Sequence, residues 1–185
     1  MMSKPRADHA SPEPPRASAA AGKYLTFTLA AEAYGVPVLA VREIIRLCPI
    51  TPVATMPPHV RGVINLRGRV IPLIDLRIRL GLPPQPDHDR TCIIVARVAA
   101  AGGGGRPYAV VVDSVDEVAS LAAADIAAPP DFGAAVDTRF ITGMARRETG
   151  VTTLLDLDAV ATADQLPKPA GDAPPVSSIA RGDQP

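Results

Sequence analysis

The sequence predicts an all-β chain: two small barrels of like build, each of about five short strands, packed together with short helices. Three observations lead there. The first is the stretch from Val60 to Arg77, two apolar runs rich in β-branched residues. They meet at Asn65-Leu66-Arg67-Gly68-Arg69, where Gly68 is free to take the positive φ of a tight reversal. The second is composition. Apolar residues make up 47% of the chain, aromatics only 3%, and Trp is absent, so the core must be Val, Ile, Leu and Ala. The third is an internal echo. Val70-x-x-Leu73-Ile74-Asp75-Leu76 returns 81 residues later as Val151-x-x-Leu154-Leu155-Asp156-Leu157, and Val60-Arg61-Gly62 returns at the same offset as Ile141-Thr142-Gly143. Tyr34-x-Val36-x-Val38 and Val41-Arg42-Glu43-Ile44 return 74 residues later as Tyr108-x-Val110-x-Val112 and Val115-Asp116-Glu117-Val118. A unit of that size buries little surface by itself. Two such units are expected to share apolar surface, with a natural groove at the seam.

Residues 1–22 are rich in Ser, Pro, Ala and charge, as is the end from about Leu166 to Pro185, and both are expected to be disordered tails. The ordered part is expected over 23–162. Leu25, Phe27 and Leu29 alternate with Tyr24, Thr26 and Thr28, a half-buried strand. Ala30 to Ala33 is a turn, and Tyr34 to Val38 returns. Leu39 to Ile45 reads equally as a helical turn or continued strand. Ile50 to Val53 is a short strand, and Pro57-Pro58 breaks the chain before the hairpin. Pro72 cannot donate to a ladder and belongs at an edge or bulge. Asp75 to Gly81 is a short helix with Gly81 as its stop.

Pro83 to Arg90 is a polar, proline-rich connector and the expected boundary between the two units. Thr91 to Val98 is an apolar strand, Gly102 to Gly105 a loose hairpin tip, and Tyr108 to Val112 the return, running on through Val115 and Val118. Leu121 to Ile126 is a helical turn, Pro129 to Thr138 a loop, Val151 to Leu157 the last strand, and Asp158 to Asp164 a short helix.

Nineteen basic and nineteen acidic residues leave no net charge, which argues against a nucleic-acid partner. No apolar stretch approaches a membrane span and no signal peptide is apparent, so a soluble cytoplasmic protein is expected. Cys48 and Cys92 have no metal-ligand spacing; Cys92 reads as a buried small hydrophobe, and a disulfide stays open. His9, His59 and His88 sit at no ligand spacing, no nucleophile motif occurs, and the glycine run lacks the Lys-Ser/Thr of a phosphate loop. No catalysis, metal or cofactor is expected. Asp75 and Asp156, each before a short helix, read as caps rather than acid–base groups. Arg181-Gly182-Asp183 reads as coincidence. Glu43 and Arg67 remain. Either they are an ordinary solvated surface, with Arg67 pinning a loop, or both face a protein partner beside exposed Val or Ile.

Tyr24-x-x-Phe27-x-Leu29, Tyr34-Gly35-Val36, Val41-Arg42-Glu43-Ile44 and Gly62-Val63-Ile64-Asn65-Leu66-Arg67-Gly68-x-Val70-Ile71-Pro72-Leu73-Ile74-Asp75-Leu76-Arg77 together resemble the CheW family of chemotaxis coupling proteins. Val110-Val111-Val112-Asp113 and Ile141-Thr142-Gly143 extend the resemblance over about residues 23–162. It implies two SH3-like five-stranded barrels and an adaptor without catalysis. The implied partners are the cytoplasmic tip of a methyl-accepting chemoreceptor and the regulatory domain of a CheA-type histidine kinase. By the same resemblance Val41, Gly62, Cys92 and Ile93 line a receptor groove between barrels. Glu43 and Arg67, with Asn65 and Gly68 on the same hairpin, are polar contacts or organisers of that surface. The long tails, Pro37, Cys92 and the charged Arg146-Arg147-Glu148 depart from the pattern. Two alternatives stay open: a coupling protein of a pilus, gliding or developmental pathway, and a small-ligand sensor using the cleft.

Overall fold

The computed structural model describes residues 19–98, 105–130, 138–148 and 150–162. Eleven strands run through them: β1 (Gly22–Leu29), β2 (Glu32–Pro37), β3 (Val41–Arg46), β4 (Val60–Leu66), β5 (Arg69–Asp75), β6 (Cys92–Val98), β7 (Arg106–Val112), β8 (Ser114–Leu121), β9 (Ile126–Ala127), β10 (Ile141–Arg147) and β11 (Gly150–Leu155). Two short helices follow β5 and β11: α1 (Leu76–Arg79) and α2 (Leu157–Thr162). The strands form two sheets. Lobe one has the order β8-β1-β2-β11-β10-β9, and lobe two has β3-β6-β7-β5-β4.

The segment 39–45 resolves into both of its readings, a 3-10 turn over Val38–Ala40 and then β3. Around Thr51 the expected strand is a single bridge to Val63. Asp75 caps α1 by accepting from the backbone N–H of Arg77 and Ile78, and Asp156 does the same for Asp158 and Ala159 at the start of α2. Pro72 is not on an edge: β5 lies between β7 and β4, but its parallel ladder to β7 begins only at Leu73, so the missing N–H costs nothing there.

The echo reappears in the ladders. The β4–β5 register breaks between Val60 and Gly62, and β10–β11 breaks between Ile141 and Gly143, the residues 81 positions on. Leu73 pairs in parallel with Ala109, and its echo Leu154 pairs in parallel with Gly35. The connector at 83–90 nevertheless does not separate the sheets. It joins β5 to β6, two strands of lobe two. Each lobe takes strands from both halves of the chain: the β1–β2 hairpin sits among β8, β10 and β11, and the β6–β7 hairpin among β3, β4 and β5. The two halves have exchanged hairpins.

This exchange places the core. One cluster fills lobe two (Ile64, Ile71, Leu73, Ile93, Val95), and a smaller one fills lobe one (Tyr24, Ala119, Leu121, Ala145, Leu154). The largest lies between the lobes, where Leu25, Phe27, Leu29 and Val36 meet Ile74, Ile94, Tyr108, Val110 and Val112. Strands β6 and β7 are therefore covered on both faces, which explains their unbroken apolar runs. Strand β1 is covered likewise: Tyr24 and Thr26, expected half-exposed, are buried. The seam is thus packed core, not the open groove expected from two barrels side by side. Phe27 stacks on Tyr34 at 6.0 Å within it, and the buried Tyr108 hydroxyl donates to the Leu157 carbonyl at 2.7 Å.

Val112 and Val115 do not lie on one continuous strand. The chain changes sheet at Asp113, whose carboxylate accepts from Arg77 Nε at 2.6 Å and from the Ala30 N–H at 2.9 Å. Residues 19–22, expected within the tail, are instead tied down: Ala19 N–H donates to Thr142 O at 3.1 Å, and Gly22 pairs with Leu121. The rest of both tails, the Gly102–Gly104 tip, most of the 129–138 loop and Arg181-Gly182-Asp183 lie outside the described residues.

Candidate partner-binding site

The β4–β5 hairpin closes on two residues, with Leu66 paired to Arg69 across the turn. Both turn residues have positive φ, 52° at Arg67 and 83° at Gly68, the geometry whose twist matches a two-residue hairpin. Asn65 Oδ1 secures it by accepting from the Gly68 N–H at 2.8 Å. Gly68 suits the conformation; Arg67 holds it at a local steric cost. Among the described residues the Arg67 guanidinium bonds no backbone carbonyl. It donates to Glu43 Oε2 at 2.8 Å. Glu43 is there because β3 breaks register against β6 between Val41 and Glu43. The bulge lets the successive residues Arg42 and Glu43 reach one hollow. That hollow, about 460 Å³, has Leu66, Ile71, Val95 and Pro107 beneath and Arg42, Glu43, Arg67 and Arg69 around it. Ile44 on β3 and Val70 on β5 are exposed, but alternation turns them to the other face of the sheet from Glu43 and Ile71.

Four of the sequence-selected residues, Glu43, Asn65, Arg67 and Gly68, are thus brought together. The other four are not. Val41 and Cys92 are half-buried on adjacent strands β3 and β6, packed against the core between the lobes. Burial pushes the Cys92 thiol above its ordinary range, away from thiolate chemistry. Both cysteines are free, and Cys48 packs on the lobe-two cluster at the opposite face of the sheet. Ile93 is fully buried and offers nothing to a partner in this fold; it is a core residue because β6 has two covered faces. Gly62 is also buried. With φ at 141° it lets the Thr51–Val63 bridge approach, with both hydrogen bonds at 2.9 Å.

Sequence reasoning missed the polar network behind this surface. Arg77, almost fully buried on α1, donates to both carboxylate oxygens of Asp113, to Pro83 O at 3.2 Å and to Gln85 Oε1 at 3.1 Å. Arg61 on β4 grips Asp87 through two bonds of 2.8 and 2.7 Å. These bonds hold the Asp87 carboxyl below the usual carboxylate range. Two arginines therefore strap the proline-rich connector onto lobe two. The available signal was their place beside apolar strand residues, with acids clustered in the connector.

A shaped surface with a duplicated, hairpin-exchanged scaffold behind it is the setting for the comparisons. Residues 23–165 match the CheW-like domain. The chain belongs to the CheW family. CheW relatives align over about three quarters of the chain. It is 32% identical over 144 residues to a chemotaxis protein CheW of Klebsiella aerogenes, covering 78% of this chain and 84% of that one. To a chemotaxis protein CheW of Rhizobium meliloti it is 34% identical over 136 residues, covering 74% and 84%. Among solved structures it superimposes on the scaffolding protein TtCheW of Thermoanaerobacter tengcongensis with a TM-score of 0.68 at 30% identity, over 76% of this chain and 92% of that one. This CheW-family chain has the two SH3-like lobes and the adaptor role in chemotaxis signalling. No helix among its described residues is long and apolar enough to cross a membrane.

Proposed function

We propose that this adaptor holds the cytoplasmic tip of a methyl-accepting chemoreceptor against the regulatory domain of a CheA-type histidine kinase. It acts in the cytoplasm, by binding alone, and meets the membrane only through the receptor. The observation that carries the reading is the Glu43–Arg67 pair set over the hollow floored by Leu66, Ile71, Val95 and Pro107. The apolar floor gives a partner segment something to cover, and the flanking charges set its orientation. Asn65 and Gly68 shape the same end of lobe two. A second surface, about 640 Å³ in volume, lies around Pro37, Val38 and the fully exposed Leu39, with Leu155 and Leu157 behind. Two separate surfaces on one shared core suit a connector: each contact is modest, and clustering multiplies them.

The test is capture of both partners from cell extract. The unaltered protein recovers a CheA-type kinase and a receptor. Arg67→Ala and Glu43→Lys each weaken one of the two pairwise affinities, by about fivefold for about 1 kcal/mol of lost contact. Both leave the thermal melt within about 2 °C, because an exposed ion pair adds little to folding. Recovery of neither partner, or a large drop in melting temperature for both variants, would remove the basis of the proposal.

A further inference from the structure

Charge in this neutral chain is divided by lobe. Residues 38–112, which build lobe two, carry ten arginines against four acidic residues, whereas 22–37 and 113–162 carry four basic and ten acidic residues. Much of the excess gathers at one end of lobe two. Arg42, Arg67 and Arg69 line the hollow at the hairpin tip, and Arg97 lies opposite Pro107 on the face of β6 that turns Val95 to it. All four are exposed. Among the described residues Arg67 has Glu43 as an ionic partner, while no side-chain hydrogen bond or ion pair engages Arg42, Arg69 or Arg97. Beneath them the floor is apolar, with Leu66 and Pro107 half-buried and so still open to a ligand, over buried Val95 and Ile71.

We propose that this hollow is a docking site for an acidic–aliphatic segment of the adaptor's protein partner, carboxylates reaching the arginine rim while aliphatic side chains cover the floor. Four guanidiniums with one carboxylate among them make a strongly positive mouth, and a guanidinium's planar fork matches a carboxylate with paired bonds. The apolar floor gives a peptide what a free anion lacks, a surface to desolvate. Glu43 keeps Arg67 oriented and, by its own charge, disfavours a compact anion seated at the centre. The assignment rests on the reading of this hairpin end as a partner surface, and it adds the partner's chemistry.

The probe is a fluorescein-labelled peptide alternating Glu and Leu, titrated with the full chain and read by anisotropy. Binding at 50 mM salt is expected to weaken at least tenfold by 300 mM, as screening of exposed charges requires. The double variant Arg42→Glu/Arg69→Glu is expected to lose it at least tenfold while its melting curve stays put, since neither arginine is paired. A Lys–Leu peptide is expected not to bind. Indifference of the Glu–Leu peptide to the double variant, or no binding of it at 1 mM protein, would overturn the site. Its displacement by 10 mM inorganic phosphate at constant ionic strength would overturn the peptide assignment in favour of a free-anion site. Capture of kinase and receptor by the double variant at unaltered strength would also reject the docking site while leaving the adaptor reading intact. Failure of the unaltered protein to capture either would reject the adaptor reading itself.

Discussion

Gly62 shows how much of this surface depends on one missing methyl group. A Cβ there would lie 2.3 Å from Thr51 O and 2.9 Å from Thr51 C, both backbone atoms that cannot swing aside. Its φ of 141° is also rarely adopted by other residues. Gly62→Ala must therefore break the Thr51–Val63 bridge or shift β4, and it is expected to cost about 2 kcal/mol or more of stability. Chemical denaturation measures it; an unchanged midpoint would mean the 47–59 segment moves freely. A loss of partner binding in this variant is expected to follow from the fold. Arg67 is the contrasting residue. Its side chain is 78% exposed, its ionic partner is 24 positions away, and its neighbour Gly68 already supplies the easier half of the turn. Sequence alone marks Arg67 as odd, an arginine in an apolar hairpin. It does not reveal that Glu43 is its partner, because that depends on a bulge in β3, and bulges leave no fixed pattern in one sequence.

At the scale of elements, the periodic and capped pieces were legible. The hairpin of β4 and β5 is marked by a glycine between β-branched runs, and both short helices by an aspartate that satisfies their first N–H groups. What could not be read was which side of each strand meets which lobe. Ile93 and Ile94 are neighbours in one apolar run, yet one fills lobe two and the other the seam. Asp113 looked like an interruption within a strand and is where the chain passes between sheets. The connector looked like a free linker because of its prolines. Its tethers come from β4 and α1, out of sight of any local pattern. The Arg61–Asp87 pair makes that tether sensitive to pH. Asp87 in the folded chain holds its proton less readily than in the unfolded chain. Its contribution is therefore complete above the ordinary aspartate value of about pH 4 and is lost as pH falls below that, through the depressed folded value. Asp87→Asn is expected to raise amide exchange across 83–90 at pH 7, to flatten the pH dependence below about pH 4, and to change global stability by less than about 1 kcal/mol. Exchange across the connector that stays slow in the variant would show that Arg77 holds it without Arg61.

At the scale of the whole molecule, the exchanged hairpins decide what can fold by itself. Among the described residues each half makes only hairpins within itself, β1–β2 and β4–β5 before the connector, β6–β7 and β10–β11 after it, apart from the Thr51–Val63 bridge and the two-residue strand β9 on β10. The pairings that turn hairpins into sheets all cross between halves: β1 with β8, β2 with β11, β3 with β6, and β5 with β7. The largest core cluster likewise draws on both, Phe27 and Leu29 from the first half against Tyr108 and Val110 from the second. An isolated hairpin is marginal in water, so neither half has the means to hold its own apolar faces. Expressed separately, residues 1–86 and 87–185 are expected to show no cooperative melt by circular dichroism. Mixed at equal concentration they are expected to regain one, at a midpoint that rises with concentration because association is now bimolecular. A cooperative melt from either half alone would mean that the lobes fold independently. The same dependence bears on signalling: with its core shared across the seam, a pull on the hairpin end of lobe two would be borne by strands of both halves, and the adaptor is expected to pass on a partner's shift as a nearly rigid body.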